Sequence, residues 1–246
     1  MITLYQFASS PFTEKVSRML SFKGLDYYVE EINRLKAGQY QDVSPFGKFP
    51  AMDISGIKVC DSTDIAHVLD DTYPTKKLIP ENELLRAKVH ILEDWADESL
   101  YFYEMTMRVS WLHNAKATLA KIKDTLPSFP DWVLLRIIVG KASKIVKTQG
   151  LGRKHKHQVV NDVRRHLEAL NALLADTGWL VGDTITLADI EVISQLNCLL
   201  DAQEVQEMVG SFPAITMWIA QVDRVAPYIK PNANAESRVF EESPGV

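Results

Sequence analysis

Cysteine is scarce in this 246-residue chain: only Cys60 and Cys198 occur, far apart and each in an apolar neighbourhood. That excludes a disulfide framework or a cysteine-built metal centre, and it fits two buried thiols in a reducing compartment. Positive charge is short as well, with 27 Lys and Arg against 32 Asp and Glu and a net charge of −5. A nucleic-acid-binding domain usually has a pI above roughly 9, so nucleic acid is not expected as a partner. Long hydrophobic runs are missing. The longest apolar-rich stretch, residues 132–140, contains Arg136 and falls far below the roughly 18 residues a bilayer span needs. It reads as a buried helix segment, and no integral membrane segment is expected. The chain opens directly in a strand pattern with no basic leader before an apolar core, so a cytoplasmic protein is expected.

What is present begins with a change of period. Ile2, Leu4 and Phe7 around Tyr5 read as a short buried strand, and Phe12, Val16, Met19 and Leu20 then recur at helical spacing. Between them stands Ser9-Ser10-Pro11. With Ser10 as N-cap, Pro11 falls at the first helical position, where its missing N–H costs nothing. The same helix start, with free N–H groups and partial positive charge, is also a place to hold an anion. Both readings stand at this point.

Lys23-Gly24 stops the helix, and residues 27–32 form a second strand. Residues 35–43 are polar and read as a short helix or turn ended by Ser44-Pro45. Residues 49–54 and 57–60 flank Ser55-Gly56 as an antiparallel hairpin. Ser62 opens a helix with Ile65, Val68 and Leu69 on one face. This β-α-β-α-β-β-α order fills about 80 residues, a small domain. Everything beyond reads as helix: residues 84–108, residues 157–175, and a last helix from Pro213 carrying Ile215, Trp218, Ile219, Val222 and Val225. Thr186 and Asp189 stand at capping-box spacing, with Ile185 and Ile190 placed as a hydrophobic staple. The organisation expected is an α/β domain over residues 1–76, a linker over 77–85, an all-helical domain over 86–228 and a polar tail over 229–246.

A Ser-Pro at the first strand-to-helix junction, GKFPA before the third strand, Asp61-Ser62 opening the next helix, YPTKKLIP as linker and TLAD ahead of a helix stand in this order. Together they resemble the glutathione S-transferase family over nearly the whole chain. SSPFTEK is similar to the omega-class loop, with Ser10 where that class carries cysteine, and to the serine-bearing zeta-type loop. The resemblance implies a thioredoxin-like N-terminal domain, an all-α C-terminal domain and glutathione as co-substrate, with no metal. It implies that Pro50 is cis, that the Phe49 main chain pairs with the cysteinyl part of glutathione, and that Asp61-Ser62 receives the γ-glutamyl end. Lys48 is the candidate for the glycyl carboxylate. A homodimer acting on a small hydrophobic electrophile or a peroxide, in a detoxifying role, is likewise implied.

Serine at position 10 decides the chemistry expected. A cysteine would exchange thiols, whereas a hydroxyl can only donate to a sulfur. A free thiol has a pKa near 8.5, so lowering it by about two units makes thiolate the major form at neutral pH. Ser10 is therefore the catalytic candidate, with Ser9 as fallback. Phe12, Tyr101, Arg108 and Trp111 are candidates for an electrophile pocket, the last three roughly on one helix face, where an aromatic stripe also reads as core. Phe49, Asp61 and Ser44 depart from the family's usual residues, and Phe49 is expected to crowd the peptide site. Segments such as EDWADESLYFYEMTMRVSW are also similar to the metaxin and failed-axon-connections relatives. The alternative is thus a non-catalytic binding module with residues 115–158 as partner surface. His155 and His157, two apart, read as a solvated basic helix start, with Lys141, Lys144 and Lys147 upstream.

Overall fold

A computed structural model of the protein describes residues 1–229 apart from Ala8 and Leu35. The tail expected over 229–246 lies, from residue 230 onward, outside the described residues. The chain forms two compact units, one of Met1–Ile79 with the chain from Asp223, the other Pro80–Val222.

The first unit is built on a four-stranded mixed sheet of order β2-β1-β3-β4. Strand β1 (Ile2–Gln6) alternates buried and half-buried residues, leads into α1 (Pro11–Lys23), and pairs in parallel with β2 (Tyr28–Glu31). Strands β3 (Ala51–Ile54) and β4 (Ile57–Cys60) make the hairpin, and β3 runs antiparallel to β1. Helix α2 (Ser62–Thr72) follows. Leu4, Met19, Leu20, Met52, Ile65 and Leu69 are wholly buried and form the core between sheet and helices. The segment after α2 is tied down by one carboxylate. Asp70 accepts from the amides of Leu78 and Ile79 and pairs with the buried Lys23 ammonium at 2.7 Å. Residues 35–43, expected as a short helix or turn, contain a 3₁₀ turn at Ala37–Tyr40.

The second unit is helical. Helix α3 (Glu83–Trp95) continues through a widened turn (Ala96–Leu100), the short α4 (Tyr101–Glu104) and a second widened turn (Met105–Ser110). Then come α5 (Leu112–Ile122), α6 (Asp131–Gln149), α7 (Lys156–Thr177), α8 (Leu187–Leu199), α9 (Gln203–Val209) and α10 (Pro213–Val225). Helix α8 is buried almost end to end, so its start must be satisfied internally. The capping box does this. Asp189 accepts from the Thr186 amide and hydroxyl, from the Leu180 amide and from the Trp218 indole N–H, all within 3.0 Å. Burial pushes its carboxyl above the ordinary range, and these donors pull the other way.

Two expectations are corrected. Of the two thiols expected to be buried, Cys198 is buried, but Cys60, at the end of the edge strand β4, is only half-buried. Residues 132–140 lie in α6, but the segment is not buried: Trp132 is 69% exposed, Ile137 is 44% exposed, and Leu134 is the residue that turns inward.

Asp189→Ala would strand these donors in the core and is expected to lower unfolding free energy by about 3–4 kcal/mol in urea titration, against about 1–2 kcal/mol for Asp189→Asn, which keeps an acceptor.

Candidate functional site

Strand register gathers the site. Ala51 pairs with Tyr5 on one side and Cys60 on the other, so the end of β1, the start of β3 and the end of β4 stand abreast. Three connections leave the sheet at this end: residues 7–10, residues 44–50 and the step from Cys60 to Ser62. Two of them lead straight into helix N-termini, α1 and α2. Their amide ends share one edge of the sheet, a setting that favours an anion. Lys15 of α1, wholly buried, donates to the Thr63 hydroxyl of α2 at 3.2 Å and locks the two helix starts together.

Ser10 is the N-cap of α1 in extended conformation with Pro11 next in line, and its side chain makes no capping hydrogen bond. The half-buried hydroxyl is thus not consumed by the helix. Ser9 turns through the left-handed region at φ 59°, and Thr13 holds the loop by donating to the Phe7 carbonyl at 3.3 Å. Phe12 is half-buried in the first turn of α1.

The 44–50 connection is braced by Ser44, wholly buried, whose hydroxyl donates to the Lys48 carbonyl at 2.6 Å. The Lys48 side chain is exposed, and the Phe49-Pro50 bond is cis. The Phe49 ring is turned away into an apolar nest with Ile32, Val43 and Ala51, edge-on to Phe7 at 5.0 Å and to Tyr40 at 6.3 Å. Its size is absorbed by packing. The Phe49 main chain has no hydrogen-bond partner among the described residues, leaving a donor and an acceptor beside β3.

Asp61 sits at φ 95°, a conformation rare for a non-glycine residue, and caps α2 by accepting from the Thr63 amide at 2.9 Å. Its carboxylate remains exposed, while Ser62 is buried. A strained, capped, exposed carboxylate beside a hydroxyl suits the amine and carboxylate of an amino-acid end group.

The remaining candidates belong to the helical unit. Arg108 is buried, and its guanidinium is met by Glu104 one turn earlier. Trp111 is also buried, stacked on His113 with the Lys156 ammonium 4.8 Å over its ring. Tyr101 is half-buried against Phe102. Of these three, Tyr101 has the most free surface. Sequence reasoning passed over Thr13 and Lys15, because a threonine and a lysine inside an amphipathic helix carry no signal of what they brace.

The family model described as Glutathione S-transferase, N-terminal domain, matches residues 4–77, and the one described as Glutathione S-transferase, C-terminal domain, matches residues 137–224; together they cover more than half the chain. The chain is 32% identical to a mouse maleylacetoacetate isomerase over 37% of its own length and 45% of that protein, so it spans less than half of this relative. It is 25% identical to an isoprene-epoxide–glutathione S-transferase of Rhodococcus over 86% of the chain and 91% of that protein. A glutathione S-transferase of Methylobacillus flagellatus, solved with glutathione bound, shares the fold with a TM-score of 0.63 at 20% identity, covering 93% of this chain and 97% of that one.

Asp61→Gly removes the carboxylate but adopts φ 95° freely, so stability in urea is expected to change by less than about 0.5 kcal/mol, whereas Asp61→Ala keeps the strain, loses the cap and is expected to cost about 1–2 kcal/mol.

Proposed function

The chain belongs to the glutathione S-transferase family, and we propose that it binds glutathione in the N-terminal unit, holds its sulfur as thiolate through the Ser10 hydroxyl, and delivers it to a small hydrophobic electrophile or peroxide. The observation that carries this reading is the Ser10 side chain, left out of the helix cap at a sheet edge shared with the Phe49 main chain and Asp61-Ser62.

In this reading Asp61 pairs with the γ-glutamyl amine, and Ser62 with the α2 N-terminus takes its carboxylate. The Phe49 N–H and C=O hydrogen-bond the cysteinyl main chain as a short extra strand, next to Pro50. Lys48 meets the glycyl carboxylate. The Ser10 hydroxyl then donates to sulfur, and the α1 N-terminus adds its partial positive charge, both favouring the anion over the thiol. Ser9 is the substitute donor, and Phe12 is the apolar wall beside the sulfur. Catalysis needs no more than a thiolate and its proximity to the electrophile: the sulfur lone pair forms the new bond, and the leaving group departs with the electrons of the bond that breaks.

The isomerase name of the mouse relative brings a second reaction for the same thiolate. Reversible addition to an activated carbon–carbon double bond, rotation and expulsion of the thiolate would transfer no group. The reading extends to a cytoplasmic homodimer. No helix among the described residues is long and apolar enough to cross a membrane.

Ser10→Ala is the test. Glutathione affinity is expected to stay within about threefold while kcat/KM with a model electrophile falls about 10²-fold, and the pH midpoint of the rate should rise towards the free thiol value of about 8.5. Glutathione binding with no rate above the free thiol in either form would contradict catalysis and leave a binding module.

A further inference from the structure

Charge in this acidic chain is unevenly spread. From Trp132 to Asn161 there is no acidic residue, while Arg136, Lys141, Lys144, Lys147, Arg153, Lys154 and Lys156 all fall there. Two of these seven are spent locally. Lys154 pairs with Asp162, and Lys156 lies over Trp111. The other five have no carboxylate within ion-pair distance among the described residues.

Three of those five converge. Where the chain turns back after α6, an open groove of about 840 Å³ is lined by Lys144, Lys147 and Arg153, with the Ser143 and Thr148 hydroxyls and Gly140 and Gly152 between them. The groove has a built wall. A Cβ on Gly152 would lie 2.6 Å from the Val146 side chain and 2.8 Å from the Lys147 amide nitrogen, so only glycine lets the loop close onto the helix. Arg153 is fixed across it, its Nε donating to the Lys147 carbonyl at 2.9 Å. Gly140 adds no side chain, and a Cβ there would meet nothing within 4 Å. One cation at a helix C-terminus answers the helix dipole; three around a glycine-floored concavity focus a positive field well beyond that.

We propose that this groove is a binding site for a phosphate-bearing anion, separate from the glutathione site. A phosphate group carries about two negative charges and three strong acceptor oxygens, matching two ammonium groups, a planar guanidinium and the Ser143 hydroxyl, while the Thr148 hydroxyl is turned to the Lys144 carbonyl at 2.9 Å. The chemistry is shared by soluble phosphates and lipid headgroups. On the same exposed arc of α6, Trp132 and Ile137 stand out into solvent at 69% and 44% exposure, the type of apolar contact a headgroup layer accepts.

The test uses the full chain at an ionic strength of about 0.15 M, where long-range attraction is largely screened. Two probes are titrated: inorganic pyrophosphate by calorimetry, and phosphatidylcholine vesicles with and without phosphatidylglycerol by flotation. Saturable binding to either supports the site. Pyrophosphate alone identifies a soluble ligand, and phosphatidylglycerol vesicles alone identify a headgroup. The double variant Lys144→Glu/Lys147→Glu is expected to lose at least tenfold in affinity with its thermal midpoint unchanged, and Arg153→Gln at least threefold. Lys88→Glu/Lys116→Glu, the same charge change on exposed residues elsewhere, is expected to keep wild-type affinity. No binding of either probe by the wild type, or an equal loss in the control variant, overturns the proposal.

Discussion

The pairing of Ala51 between Tyr5 and Cys60 is the constraint on which the N-terminal site depends. Because β3 runs antiparallel to β1 and β4 antiparallel to β3, the end of β1, the start of β3 and the end of β4 share one sheet edge. A one-residue slip would turn each strand's inward side chains outward, so burial of Leu4, Met52 and Ile54 fixes the register and thereby the site. The loop bearing Ser10, the loop bearing Phe49 and Pro50, and the Asp61 turn then meet because the core leaves the sheet one arrangement. Thr13, Lys15 and Ser44, themselves buried, hold those loops with part-buried hydrogen bonds.

The chemistry follows from what each loop leaves unused. Ser10 caps by backbone position and not by side chain, so its hydroxyl is not consumed by the helix start. Asp61 caps α2 with one oxygen on the Thr63 amide, and its carboxylate stays exposed at a strained φ. Phe49 answers a steric objection, since its ring packs with Phe7 and Tyr40 and only its main chain remains beside β3.

Legibility in the sequence tracked how local the physics was. The Ser10-Pro11 helix start, the hairpin around Ser55-Gly56 and the Thr186–Asp189 box are set by neighbours within a few residues, and each stands where its pattern put it. The widened turns at Ala96–Leu100 and Met105–Ser110 add a residue to a helical turn without calling on any particular residue type, so no pattern announced them. Trp132 to Val139 is apolar on nearly every side of the helix, and such a run cannot say which face is outward. Arg108 and Trp111 are pocket candidates by spacing. Their pairing with Glu104 and Lys156 depends on burial within the helical unit, which spacing does not encode.

Calorimetric titration of the wild-type protein with reduced glutathione, with S-methyl glutathione as second titrant, tests the central claim most directly. The account predicts saturable binding of both in the micromolar to millimolar range, with protons released as reduced glutathione binds below its free thiol pKa and none attributable to sulfur when the methylated form binds. No heat with either titrant, or equal proton release with both, would contradict a site that holds glutathione as its thiolate.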